Sequence, residues 1–191
     1  MFRFKKIVAV ILLVSFIISS FNLGVMASEL QSTTDIQVRA QREPAPSNNT
    51  RGDTVLNGSI TIDAGRDMYY SKNVILNGDL TIKEGARLEI NGDLTIQGEG
   101  NITISENNVA LIVKGSLSVL GSRTTNFSGE CSIEIEKDII QKGQNNNIHF
   151  GGNSTVILTG DTQQTMDFEN PIGCRMFNLV NQNTSANPLV F

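Results

Sequence analysis

The sequence predicts an all-β fold, a right-handed parallel β-helix of about seven coils over residues 54–191. Three observations predict it. A short unit recurs, each copy alternates apolar and polar residues, and no 3.6-residue apolar period competes anywhere after residue 54.

The clearest copies are Val55-Leu56-Asn57-Gly58-Ser59-Ile60-Thr61-Ile62, Ile75-Leu76-Asn77-Gly78-Asp79-Leu80-Thr81-Ile82 and Glu89-Ile90-Asn91-Gly92-Asp93-Leu94-Thr95-Ile96. Weaker copies are Ile112-Val113-Lys114-Gly115-Ser116-Leu117-Ser118-Val119 and Glu134-Ile135-Glu136-Lys137-Asp138-Ile139-Ile140. The Leu-Thr-Ile triplets bury one face of a strand and wet the other. Ile, Val and Thr are β-branched and fit a pleated sheet. Asn-Gly supplies a corner, where Gly and Asn tolerate positive φ; Gly78 and Gly92 are expected to adopt it.

Stacking the copies places Asn57, Asn77 and Asn91 in one file and Leu80 and Leu94 in another. Asn-Gly between strands is also a hairpin signal, and an antiparallel sandwich is the competing architecture. Hairpins, however, predict dissimilar strands rather than whole units repeating residue for residue. A left-handed solenoid would prefer strict hexapeptides, which are not seen.

Ahead of the repeats, residues 1–27 read as a secretory signal peptide. Arg3, Lys5 and Lys6 are its basic region, Ile7 to Phe21 its apolar run, and Val25-Met26-Ala27 its cleavage site, leaving Ser28 as the new N-terminus. The alternative is an uncleaved anchor at the short limit for spanning a bilayer. Residues 28–53 read as a flexible polar leader with Pro44 and Pro46. It ends in Arg51-Gly52-Asp53, the tripeptide of some integrin ligands, read here as a polar linker end. The localisation expected is secreted, extracellular or in the cell wall.

Charge narrows the partners. The chain carries 15 Lys+Arg, 19 Asp+Glu and one His. Without residues 1–27 it holds 12 Lys+Arg against 19 Asp+Glu, a net charge of −7. That acidity excludes nucleic acid, whose phosphates need clustered Lys and Arg. It also excludes electrostatic binding to anionic lipid, so no membrane partner is expected after signal cleavage.

From Cys131 the sequence resembles a repeat of large secreted surface proteins of Firmicutes. The positions that carry the likeness are Asp138, Gln141, Lys142 and Phe150, then Val156-Ile157-Leu158-Thr159-Gly160, Gln164-Thr165-Met166-Asp167-Phe168 and Phe177-Asn178-Leu179. The resemblance covers about 60 residues and implies an adhesin-like β-helical module on a cell surface, with no catalytic site to carry over. The Leu-Asn-Gly-Asp-Leu-Thr-Ile units also resemble cytoskeletal bactofilins, against which the export signal argues.

No catalytic, cofactor or metal residues are assigned. Pectin-degrading enzymes share the expected shape but use clustered carboxylates or a calcium site on one face. Here no Asp-Asp pair occurs, and the sole His149 sits between Ile148 and Phe150. One His and two Cys are too few soft ligands for zinc. Asp79 and Asp93 are expected at equivalent places in adjacent units, about 5 Å apart, a poor calcium pair beside the 6–8 oxygens that ion takes. Thr61, Thr81, Thr95 and Ser118 are expected to form one outward hydroxyl file, where ice-binding faces carry two. Tyr69 and Tyr70 are the aromatic platforms a sugar would use. Cys131 and Cys174 are expected as two buried thiols, because strands two coils apart stand ~9.6 Å apart, too far to bridge.

The function expected is therefore a structural or adhesive surface solenoid without catalytic activity, contacting extracellular polysaccharide or a host surface. The alternative is a carbohydrate-binding or carbohydrate-active β-helix. Pro188-Leu189-Val190-Phe191 starts a further strand with no polar cap after it. Either a longer repeat protein continues, or the open end serves head-to-tail self-association.

Overall fold

The computed structural model describes the backbone of residues 43–44 and all of residues 52–191. The signal peptide of residues 1–27 and the leader up to residue 51, apart from 43–44, lie outside the described residues. Every element described is a strand and every pairing is parallel. The chain is a β-solenoid of three faces, A, B and C.

An initial strand β1 (Glu43–Pro44) precedes the first turn. Turn one is β2 (Thr54–Leu56), β3 (Ile60–Ile62) and β4 (Asp67–Tyr70). Turn two is β5 (Val74–Leu76), β6 (Asp79–Ile82) and β7 (Arg87–Ile90). Turn three is β8 (Leu94–Ile96), β9 (Asn101–Ile104) and β10 (Val109–Val113). Turn four is β11 (Leu117–Val119), β12 (Thr125–Phe127) and β13 (Cys131–Ile135). In turn five, β14 (Ile139–Gln141) is followed by a single long strand, β15 (Ile148–Leu158), that bends across faces B and C. Turn six repeats this with β16 (Gln164–Phe168) and β17 (Arg175–Asn181), and β18 (Leu189–Val190) starts a seventh turn. The coil count is therefore six complete turns and a beginning.

Face A is the seven-stranded sheet β2-β5-β8-β11-β14-β16-β18. Faces B and C form one continuous sheet because β15 belongs to both, with a register irregularity between Phe150 and Thr155 where its partner β17 also turns.

The alternation read in the sequence is what fills the core. On face A, Leu56, Leu76, Ile96 and Val119 stack inward. On face C the inward file is Met68, Leu88, Leu111, Ile133, Val156 and Leu179. On face B, Phe127 and Phe150 are register partners with rings stacked at 5.1 Å and 7°. Most of these side chains are wholly buried, each contributing about 1.5–3 kcal/mol of apolar transfer.

The repeat was expected to run once per coil. It does not. Asn57-Gly58 and Asn77-Gly78 make the corner between faces A and B, whereas Asn91-Gly92 and Lys114-Gly115 make the corner between faces C and A. The 14-residue interval from Gly78 to Gly92 is a step between two corners of one turn. A full turn measures 20 to 27 residues. Asn77 does hydrogen-bond Asn57 at 3.0 Å, but Asn91 stands outside that file. Leu80 pairs Ile60 and Ile102, and Leu94 pairs Val74 and Leu117, so those leucines line different faces.

The corner chemistry is also redistributed. Gly58 has positive φ, but Gly78 and Gly92 do not. The left-handed file lies between faces B and C: Gly65 (φ 68°), Gly85 (φ 67°) and Asn108 (φ 56°) stack in successive turns. Asn follows two glycines there because it is the side chain that best tolerates this conformation.

Candidate functional site

The polar side chains of the described residues are used mainly between turns. The most regular case is the corner between faces C and A, where turns one to five each place an Asp, Asn or Ser just before the face A strand. Asn73 Nδ2 donates to Asp53 Oδ1 at 3.0 Å. The Asp93 amide donates to Asn73 Oδ1 at 2.8 Å, and the Ser116 amide to Asp93 Oδ1 at 2.8 Å. The Asp138 amide donates to Ser116 Oγ at 3.3 Å, and the Thr165 amide to Asp138 Oδ1 at 2.7 Å. A corner leaves backbone N–H groups that no strand pairs. The side chain of the preceding turn accepts them, as a buried amide requires.

The residues that carry the family resemblance fall on the same task. Asp138 is the last acceptor of that ladder. Gln141 is fully buried, donating to the Gly143 carbonyl at 2.6 Å and Asn146 Oδ1 at 2.7 Å while its Oε1 accepts the Asn170 amide at 2.9 Å. Lys142 pairs Asp167 at 2.6 Å. Gln164, also fully buried, donates to the Lys137 carbonyl at 2.6 Å and accepts Asn183 Nδ2 at 2.6 Å. Phe150 is half of the aromatic stack.

Asp79 and Asp93 are not neighbours in register, which corrects the paired-carboxylate expectation. Asp79 lies between faces A and B, level with Asn101. Its carboxylate is held at 2.6 Å by Arg123, which crosses from turn four to turn two and also donates to the Glu99 carbonyl. Asp93 belongs to the corner ladder. Among the described residues no three His, Cys, Asp or Glu side chains are grouped to hold a metal ion.

The expected hydroxyl file divides. Thr61, Thr81 and Thr103 follow one another on face B, continued by Asn126, His149 and Arg175. Thr95 and Ser118 stand on face A between Ile75 and Ile140. His149 points outward between buried Ile148 and Phe150, with Nδ1 3.1 Å from Asn126 Oδ1 and Nε2 2.8 Å from the Gly173 carbonyl. It meets amides, not a carboxylate. Tyr70 is a core residue on face C, and burial raises its phenol pKa; Tyr69 is the half-buried, outward one.

Cys131 and Cys174 are both free thiols, the first buried and the second half-buried. Burial pushes the Cys131 thiol up to about 11. Glu106 and Glu169 are held below the usual carboxylate range. For Glu106 the main cause is its hydrogen bond with Lys83, then the Glu84 amide; for Glu169 it is the Gly143 amide, then Gln144.

Asn73, Arg123 and Gln164 were not singled out in the sequence as connectors. For Asn73 a signal existed, since Asp53, Asn73, Asp93, Ser116 and Asp138 each immediately precede the first strand of a turn. No protein-family model, curated protein or solved structure matches the chain.

Proposed function

We propose that this protein is a secreted or cell-surface solenoid with a structural or adhesive role and no catalytic activity. The observation that carries the reading is how its charged and amide side chains are spent. Arg123 to Asp79, Lys83 to Glu106, Lys142 to Asp167 and the Asx corner ladder all join one turn to another. A chain that commits its functional groups to holding turns together is built as a spacer or display surface. The resemblance of residues 131–191 to Firmicute surface-protein repeats supports the same reading, as does the export pattern of residues 1–27. The surface would meet extracellular polysaccharide or a host surface through its flat outward rows.

The test has two parts. N-terminal sequencing of the protein from culture medium and wall fractions should give Ser28; intact Met1 found only in cytosol overturns the location. Purified protein immobilised on a sensor is then exposed to cell-wall polysaccharide and to host-cell membranes. Saturable binding without any released product supports the adhesive role. Release of reducing ends from the polysaccharide would establish the carbohydrate-active alternative instead.

A further inference from the structure

Three Asn-Gly steps occur in the repeats, and the fold treats them differently. At the corner between faces A and B, Asn77 Nδ2 donates to Asn57 Oδ1 at 3.0 Å, so each side chain restrains the other, and Asn77 is half-buried. Asn91-Gly92 stands at the corner between faces C and A, inside the stack, where β7 has β4 on one side and β10 on the other. The Asn91 side chain is exposed and, among the described residues, meets no hydrogen-bond partner. The backbone is pinned on either side of this step. The Asn91 amide donates to the Tyr70 carbonyl at 2.8 Å, and the Asp93 amide to Asn73 Oδ1 at 2.8 Å. Between them the Gly92 N–H meets no acceptor among the described residues.

Glycine is imposed at position 92, because a Cβ there would fall on Asn73 Oδ1 and on the Asn73 backbone. Position 91 carries no such constraint. The equivalent places in neighbouring turns hold Ser71, Lys114 and Glu136, each following the last residue of a face C strand as Asn91 follows Ile90. At this corner, turn two alone puts an amide side chain before a required glycine. Asn is a thermally labile residue. Glycine leaves the next nitrogen unshielded and its backbone free to rotate.

We propose that Asn91 is a site of spontaneous deamidation and isomerisation, with water as the co-reactant. The Gly92 nitrogen gives up its proton and attacks Asn91 Cγ. The new C–N bond closes a succinimide ring, the Cγ–Nδ2 bond breaks, and Nδ2 leaves as ammonia with that proton. Water then opens the ring, so one water is consumed and one ammonia released. Attack at Cγ gives aspartate on an unchanged backbone. Attack at the Asn91 main-chain carbonyl gives isoaspartate, whose chain runs through Cβ and Cγ and is one carbon longer. That extra length moves Asp93 away from Asn73 and Ser116, and the two bonds it makes across the corner are lost. Both bonds satisfy corner amides, so their loss weakens the fold.

The test ages the full chain in warm, mildly alkaline buffer made with heavy-oxygen water, beside a sample unfolded in urea. Peptide mass spectrometry locates the incorporated oxygen, and electron-transfer fragmentation separates isoaspartate from aspartate. In urea the three steps should react at similar rates, because their sequence neighbours are alike. In the native chain residue 91 should lead residue 77 several-fold, with isoaspartate the larger product. The deamidated fraction, separated by ion exchange, should unfold at lower urea than fresh protein. Asn91→Asp adds the charge without the longer backbone and should keep the fresh midpoint. Asn91→Gln, whose longer side chain closes the ring poorly, should keep its midpoint on ageing. Native labelling at residue 77 equal to or ahead of residue 91 overturns the site. A deamidated fraction as stable as fresh protein overturns its effect on the Asp93 bonds. So does an Asn91→Asp chain as weak as that fraction, which would assign the loss to charge, and so does an Asn91→Gln chain that weakens on ageing as fast as wild type.

Discussion

Asp93 accepts the backbone amide of Ser116 at 2.8 Å while its own amide donates to Asn73 at the same distance. One residue thus links three successive turns. Asp93→Ala leaves the Ser116 amide without its partner in a half-buried corner, at a cost of about 1–3 kcal/mol. Asp93→Asn keeps an acceptor oxygen and should lose much less. Urea denaturation of the two variants separates them; equal losses would show that the carboxylate's charge matters and its hydrogen bond does not.

Gly78 and Gly92 are required for space rather than for conformation. A Cβ at Gly78 would fall on the backbone carbonyl of Gly58, and one at Gly92 on the Oδ1 of Asn73. Gly92→Ala should therefore destabilise by about 1–3 kcal/mol through overpacking. Gly151→Ala, whose Cβ would meet nothing within 4 Å, should be close to neutral. Thermal melting compares them, and similar midpoints for the two variants would count against the close approach.

Acid should weaken the fold through two known carboxyls. Glu106 and Glu169 have folded pKa values below the ordinary 4.5. A depressed carboxylate stabilises above its unfolded pKa, and that contribution is lost as pH falls through the folded value. Denaturation midpoints should decline below about pH 4.5, and Glu106→Gln should flatten part of the decline. The effect is modest because both groups are exposed and screened. An unchanged acid limb in the variant would remove Glu106 from the account.

The thiols should react in order. Cys174 is half-buried beside Phe168 and Pro171. Cys131 is buried, with its thiol pushed up to about 11, which leaves roughly one thiolate in a thousand at pH 8. Iodoacetamide followed by peptide mass spectrometry should label Cys174 first and Cys131 only on unfolding. Non-reducing electrophoresis should show no intramolecular bridge.

The fold was legible because burial alternates with period two. Leu-Thr-Ile at residues 80–82 and again at 94–96 declares which side faces inward whatever happens at the corners. Register was not legible. Asn77-Gly78 and Asn91-Gly92 look alike as text, yet one lies between faces A and B and the other between C and A. Short polar motifs describe a corner, not which corner. Asp79 and Asp93 were misplaced for that reason, and the threonine file with them. Arg123 was unreadable for another, since a side chain reaching 44 residues back leaves no local pattern. The Gln141 and Gln164 contacts depend on how far the longer later turns carry the backbone.

The parallel register of every pair sets how this molecule bears load. Its ladder bonds run from turn to turn along the solenoid's length, while the covalent chain runs around it. Tension applied between the first and last turns meets the ladders in series, and the shortest face, with three-residue strands such as β5, β8 and β11, is where a turn peels first. A force applied around the circumference meets peptide bonds instead. Rungs such as Arg123 to Asp79, which skip a turn, act as ties across that direction of weakness.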